Sequence, residues 1–168
     1  PMQPSITSTL MGGFGMQHLQ RMAALPQSNL LLALLRDGFH EQSQGGSVSL
    51  RDNGDPVLDY PVTDYVWDGV RRAYLSMGEI QFAAGAKAVM PSHAHGRLST
   101  SWTDFKQQVA ELSYRLHDVR LASAHVMGGC AMGEDPAQSV VNSHGRHHQL
   151  ENLSIIDGSL FPTRLGAN

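Results

Sequence analysis

The sequence predicts an α+β fold: an antiparallel sheet with packed helices, followed by C-terminal loops and one further strand. Three observations predict it. Two stretches carry apolar residues at helical spacing, one stretch reads as a β-hairpin, and regular periodicity fades after about Leu121.

The elements follow in chain order. Met16, Leu19, Met22 and Ala23 recur at helical spacing, and Pro26 ends that short helix. Leu30 to Leu35, inside "NLLLALLRDG", is an apolar run of strand length closed by Asp37-Gly38. "SVSLRDNGDPVLDYP" reads as a hairpin. Val48 and Leu50 alternate with polar residues, Asn53-Gly54 tolerates positive φ, and Val57 to Tyr60 returns.

The clearest helix comes next. Val66, Val70, Ala73, Met77, Ile80 and Ala84 form one stripe, with Thr63 or Asp64 as cap and Gly85 at the end. "AKAVMP" predicts a short strand stopped by Pro91, and "SHAHGRLSTS" a polar loop. Ser101 with Asp104 opens a second helix, whose stripe is Trp102, Phe105, Val109, Leu112 and Leu116. Within the tail only "LSIIDG" reads as a strand, at Leu153 to Ile156. The expected division is residues 1–122 as an α+β domain and 123–168 as a set of site-building loops.

Composition narrows the function. The chain has 168 residues, 41% of them hydrophobic and 16% charged, which suits a folded domain with a real core. Twelve basic against fifteen acidic residues give a net charge of -3, with no footprint for nucleic acid and no polybasic membrane patch. No apolar run approaches a membrane span. The single cysteine excludes an internal disulfide and does not set the compartment. The chain starts at Pro1 and stops at Asn168, and both ends are expected to be cut.

The densest chemistry lies in "HVMGGCAMG", His125 to Gly133. A zinc site wants four Cys, His or carboxylate ligands in paired groups, and no CxxC partner accompanies Cys130. No metal is therefore expected, and Met127, Cys130 and Met132 are expected in the core. Gly128 and Gly129 mark a tight turn or a close approach. His125 has the side chain for general-base work near neutral pH. Spacing alone leaves it either structural or catalytic. His93, His95, His144, His147 and His148 lie in polar stretches and are expected mostly in solvent. Neither GxSxG, nor a P-loop, nor GxGxxG occurs.

From Ser123 to Asn168 the tail closely resembles the C-terminal part of the glucose–methanol–choline (GMC) flavin oxidoreductases. The resemblance is carried by His125 to Gly133, Val140-Val141, Gly145-Arg146, Glu151-Asn152-Leu153, Asp157-Gly158-Ser159, Pro162 and Gly166-Ala167-Asn168, in order and with matching gaps. "DGVRRAYLSMGEIQFAAGAKAVMPSH" is similar, less closely, to the family's substrate domain.

The resemblance implies FAD-dependent oxidation of a small-molecule alcohol. His125 matches the proton-accepting histidine, and Asn168 its partner in the His–Asn version of the pair. Asp157 and Gly158 match the residues that meet the FAD ribityl and pyrophosphate region. Gly166, Ala167 and Asn168 match the loop beside the isoalloxazine. Residues 1–122 would then be a partial substrate-binding domain, and 123–168 a return segment into an FAD domain. The family's N-terminal FAD-binding half, expected in cis, is not in this sequence, so the chain alone is expected to be inactive and to hold FAD weakly. Asn142 stands where aspartate is commoner, and "RHHQ" departs from the usual Arg-Val-x-Gly. The alternatives are a non-catalytic α+β binding module and a small metal-binding protein.

Overall fold

The computed structural model describes residues 3–38, 40–43, 45–123 and 125–161. The chain divides into two compact units, Pro1–Arg120 and Leu121–Asn168. Unit 1 is α+β. Its described elements are α1 (Pro4–Leu10), α2 (Gly15–Ala23), a 3₁₀ turn (Leu25–Gln27), β1 (Ser47–Leu50), β2 (Pro56–Asp59), α3 (Asp64–Ala83) and α4 (Trp102–Glu111).

The core of unit 1 is where α3 meets α4. Val70 and Tyr74 of α3 bury against Phe105 and Val109 of α4, with Val119 closing the cluster. Its burial removes apolar surface from water, at roughly 25 cal/mol per Å². Phe82, Trp102 and Phe105 add an aromatic group with ring centroids 6.0 to 6.4 Å apart.

The buried ridge of α3 is Val66, Val70, Tyr74 and Gly78, a strict i, i+4 row. It is shifted from the predicted stripe, and Ile80 is 58% exposed. Two contacts cause the shift. The Tyr74 hydroxyl donates to the Ser92 carbonyl at 2.6 Å, so a polar tip is tolerated inside. Gly78 lets the Phe105 ring lie against the helix backbone. The helix ends as expected at Gly85, with φ +88°. The Gly85 and Ala86 N–H groups return to the Phe82 and Gln81 carbonyls in a Schellman arrangement. Its N-cap is Thr63, which makes no capping hydrogen bond through its side chain.

Helix α4 starts as predicted, with Ser101 accepting from the Asp104 N–H at 3.2 Å. It stops at Glu111, and Leu116 is 53% exposed instead of extending the stripe. The chain beyond is captured by side chains. His93 Nε2 lies 2.7 Å from the Ser113 carbonyl, and the Ser113 hydroxyl donates to Asp118. Arg115 also pairs with Asp118. These hydrogen bonds, Ser113 first, hold the Asp118 carboxyl down at about 2. His93 is thus a core residue, 1% exposed and bonded at both ring nitrogens, not a solvated loop histidine.

The hairpin forms with Val48 opposite Leu58 and Leu50 opposite Pro56. Gly54, at φ +86°, allows the Arg51–Asp55 turn. Three expectations are corrected. Residues 29–37 form no strand, "AKAVMP" contributes only a bridge from Val89 to Ser99, and "LSIIDG" only a bridge from Ser154 to Arg146. A strand needs a ladder, and among the described residues none lies beside these segments. Helix α1 was not legible. Ser5, Thr7, Ser8 and Thr9 lower its propensity, and only Thr7 is buried.

No described helix is long and apolar enough to cross a membrane.

The two glycines of α3 make a paired prediction. A Cβ on Gly78 would stand 2.3 Å from the Phe105 ring, whereas on Gly69 it would meet only Leu35 at 3.6 Å. Gly69→Ala should stabilise by up to about 1 kcal/mol through helix propensity. Gly78→Ala should destabilise by about 1–3 kcal/mol through overpacking. Urea midpoints of the two variants should move in opposite directions; a rise for Gly78→Ala would contradict the packing described.

Candidate active site

Unit 2 has little regular structure. Its only described element is a 3₁₀ turn at Gly158–Leu160. Glycines and single polar turns replace long periodic runs, so the segment is held by isolated bridges. Met132 pairs with Val141, Val141 with His147, and Arg146 with Ser154. Val141 sits at the crossing and is fully buried.

Two hydrogen bonds join the histidine loop to the aspartate turn. The Cys130 N–H donates to the Ser159 carbonyl and the Met132 N–H to the Leu160 carbonyl, both at 3.0 Å. A Cβ built on Gly158 would lie 3.4 Å from the Val126 carbonyl oxygen, so the main chain beside His125 passes over Gly158. The structure thus brings the His125 loop and Asp157-Gly158 into one neighbourhood.

His125 is exposed, and its ring makes no hydrogen bond among the described residues. Gly128 takes φ +84°, which gives the loop the turn its glycines predict. The core assignment of the sulfur residues is only partly met. Met127 and Cys130 are half-buried, and Met132 is 43% exposed. Main-chain bonds on both sides fix the direction of this strip, so not every second side chain finds an interior.

Asp157 Oδ1 accepts from both the N–H and the hydroxyl of Ser159, and these bonds hold its carboxyl below the ordinary range. Oδ2 has no partner among the described residues, and neither has the Gly158 N–H. Gly166, Ala167 and Asn168, the expected ring-side loop, lie outside the described residues.

The support around the site was legible only in part. Asn142 is a hub. Its Oδ1 accepts from the His144 and Arg146 N–H groups, its carbonyl from Gly145, and its N–H donates to the Arg146 carbonyl. Gly145, at φ +72°, leads on to the Ile155 N–H bond at 2.8 Å, two residues before Asp157. The Ser139 hydroxyl is shared by the Gly133 and Asp135 carbonyls and His148 Nε2. His147 Nδ1 accepts from the Gln149 and Leu150 N–H groups. Both histidines are half-buried, contrary to the solvated expectation. A depression of about 180 Å³ is lined by Pro136, Ser139, Val140, His147, His148 and Gln149, none of them a predicted site residue. Among the described residues, no three His, Cys, Asp or Glu side chains gather as a metal would need.

A family model described as GMC oxidoreductase, for the C-terminal part, matches residues 41–168. The chain belongs to the GMC oxidoreductases. A long-chain-alcohol oxidase of Arabidopsis thaliana is 30% identical over 155 residues, 88% of this chain and 20% of that protein. A 6'''-hydroxyparomomycin C oxidase of Streptomyces lividus is 48% identical over 46 residues, 27% of this chain and 8% of that protein. A cholesterol oxidase of Acinetobacter baumannii is 41% identical over 46 residues, 27% and 8% of the two chains. The chain spans about a fifth of the length of relatives such as the long-chain-alcohol oxidase. No solved structure gives a significant match.

The Asn142 hub yields a prediction. Asn142→Ala removes an acceptor used twice and should cost about 1–2 kcal/mol. Asn142→Asp keeps that acceptor and should stay within about 0.5 kcal/mol of the parent. Thermal unfolding of the three chains checks the order, and an alanine variant as stable as the parent would contradict the hub.

Proposed function

We propose that these residues belong to an FAD-dependent oxidoreductase that oxidises a small-molecule alcohol. Residues 1–122 serve the substrate side, and 123–168 return to the FAD side. The observation that carries the reading is the junction of the His125 loop with Asp157-Gly158 through Cys130–Ser159 and Met132–Leu160. Family membership and relatives named as alcohol and cholesterol oxidases support it.

The residues present suit the cofactor in kind. An open carboxylate oxygen on Asp157 suits ribityl hydroxyls, and the open Gly158 N–H suits a phosphate oxygen. Gly166, Ala167 and Asn168 would border the isoalloxazine. Bound FAD would supply the hydride acceptor, taking the carbinol hydrogen at N5.

The remaining work falls to the chain. His125 has both ring nitrogens open among the described residues, so one can accept the substrate hydroxyl proton. The Asn168 amide donates a hydrogen bond to the same oxygen as negative charge builds on it. Fixing His125 relative to Asp157 orients the hydroxyl toward the base, and that positioning carries much of the rate. The half of the family fold outside this sequence supplies the main hold on the cofactor, so the 168-residue chain should lose added flavin on dialysis.

The test is His125→Ala in the full-length gene product. Alcohol-dependent flavin reduction should fall by ~10²–10⁴-fold while the bound flavin absorbance stays unchanged. Parental reduction rates in that variant would remove His125 from the mechanism.

A further inference from the structure

Ser139 and His148 stand at the spacing of a nucleophile and its base. The Ser139 hydroxyl oxygen lies 2.9 Å from His148 Nε2, and both residues are half-buried beside the depression in unit 2. Counting protons decides against that chemistry. The hydroxyl has one proton and two lone pairs. The Asp135 carbonyl oxygen stands 2.6 Å from it and the Gly133 carbonyl oxygen 3.0 Å. Both carbonyls only accept, so the hydroxyl proton points to them. Turned toward His148, it would leave two carbonyl oxygens facing a third oxygen with no proton between. A lone pair is what remains for His148, so Nε2 carries the hydrogen. No hydrogen bond reaches His148 Nδ1 among the described residues.

This contact grips the end of the His125 loop. Gly133 closes that loop, and its N–H donates to the Val141 carbonyl at 2.9 Å. Its carbonyl takes the Ser139 hydroxyl and, among the described residues, no other donor. A Cβ on Gly133 would stand 3.1 Å from the Ser139 Cβ, so the two segments pass closely. The His148 N–H donates to the Val140 carbonyl, so both the ring and the main chain of His148 hold the Ser139–Val140 stretch.

We propose that Ser139 and His148 are a positioning pair for the proposed base. His148, as the Nε2–H tautomer, donates to the Ser139 oxygen and keeps the hydroxyl proton aimed at the Gly133 and Asp135 carbonyls. That latch fixes where the His125 loop ends. Its effect on rate rests on the reading of His125 as proton acceptor; the tautomer and the latch do not.

Two measurements test it, the first with no flavin in the readout. Long-range ¹⁵N–¹H NMR of the 168-residue chain at about pH 8, where an unperturbed histidine is neutral, should place the His148 proton on Nε2. That proton should stay visible while the ring proton of the exposed His144 is lost to exchange with water, and Ser139→Ala should remove it. In the full-length gene product, Ser139→Ala and His148→Leu should each slow alcohol-dependent flavin reduction roughly 10-fold, with bound flavin absorbance unchanged. His148→Gln, whose amide N–H stands in for Nε2–H, should restore the rate to within about 2-fold of the parent. A proton on Nδ1, or an Nε2 proton lost as readily as that of His144, would overturn the latch. Parental rates in His148→Leu, with His125→Ala slow, would overturn the positioning role alone. Parental rates in both would sink the reading of His125 and the positioning role with it.

Discussion

Two main-chain hydrogen bonds, from Cys130 to Ser159 and from Met132 to Leu160, hold the candidate site of this chain in shape. They join segments about thirty residues apart in a unit with almost no regular secondary structure. Without them His125 would sit on a glycine-rich loop free to swing, and Asp157 on a separate turn. With them, the proposed proton acceptor and the proposed cofactor-binding carboxylate have a common reference. The rest of unit 2 serves that junction. Val141 fills the space between bridges, Asn142 fixes the turn to Gly145, and Gly145 carries the chain on toward Asp157.

Unit 1 follows a different logic. Its order comes from one close helix contact, α3 on α4, made possible by the missing Cβ at Gly78. Several polar groups beside it are paired. Gln108 donates to Ser99 and accepts from Arg97, and Tyr114 donates to the Val109 carbonyl. The remaining apolar surface tells a second story. Leucines and valines on the hairpin and the Leu30–Leu35 run stay in solvent, which fits a chain shorter than the relatives it matches.

Sequence pattern reached the long elements because their cause is local. The presence of α3 and α4, the Gly85 stop, the Ser101 cap and the Asn53-Gly54 turn each depend on residues a few positions apart. It failed where the cause is distant. Tyr74 replaced Ala73 on the buried ridge because of Ser92, and His93 became core because Ser113 was within reach. Leu30–Leu35 reads as a strand, but a strand exists only beside a partner. The site divides in the same way. The residue types at His125 and Asp157 were legible from motif resemblance. The bonds that bring their loops together cross long stretches of chain and leave no periodic trace. Nor do Ser139 and Asn142, which act through turns rather than through chemistry.

Main-chain bonds fix the His125 loop to the Asp157 turn. The direct test is residue-resolved amide exchange of the Cys130 and Met132 N–H groups by NMR. Both should be protected, with the neighbouring Val126 and Gly129 amides exchanging freely. Exchange of Cys130 and Met132 as fast as Val126 would mean that the two loops move independently, and the proposed site would lose its frame.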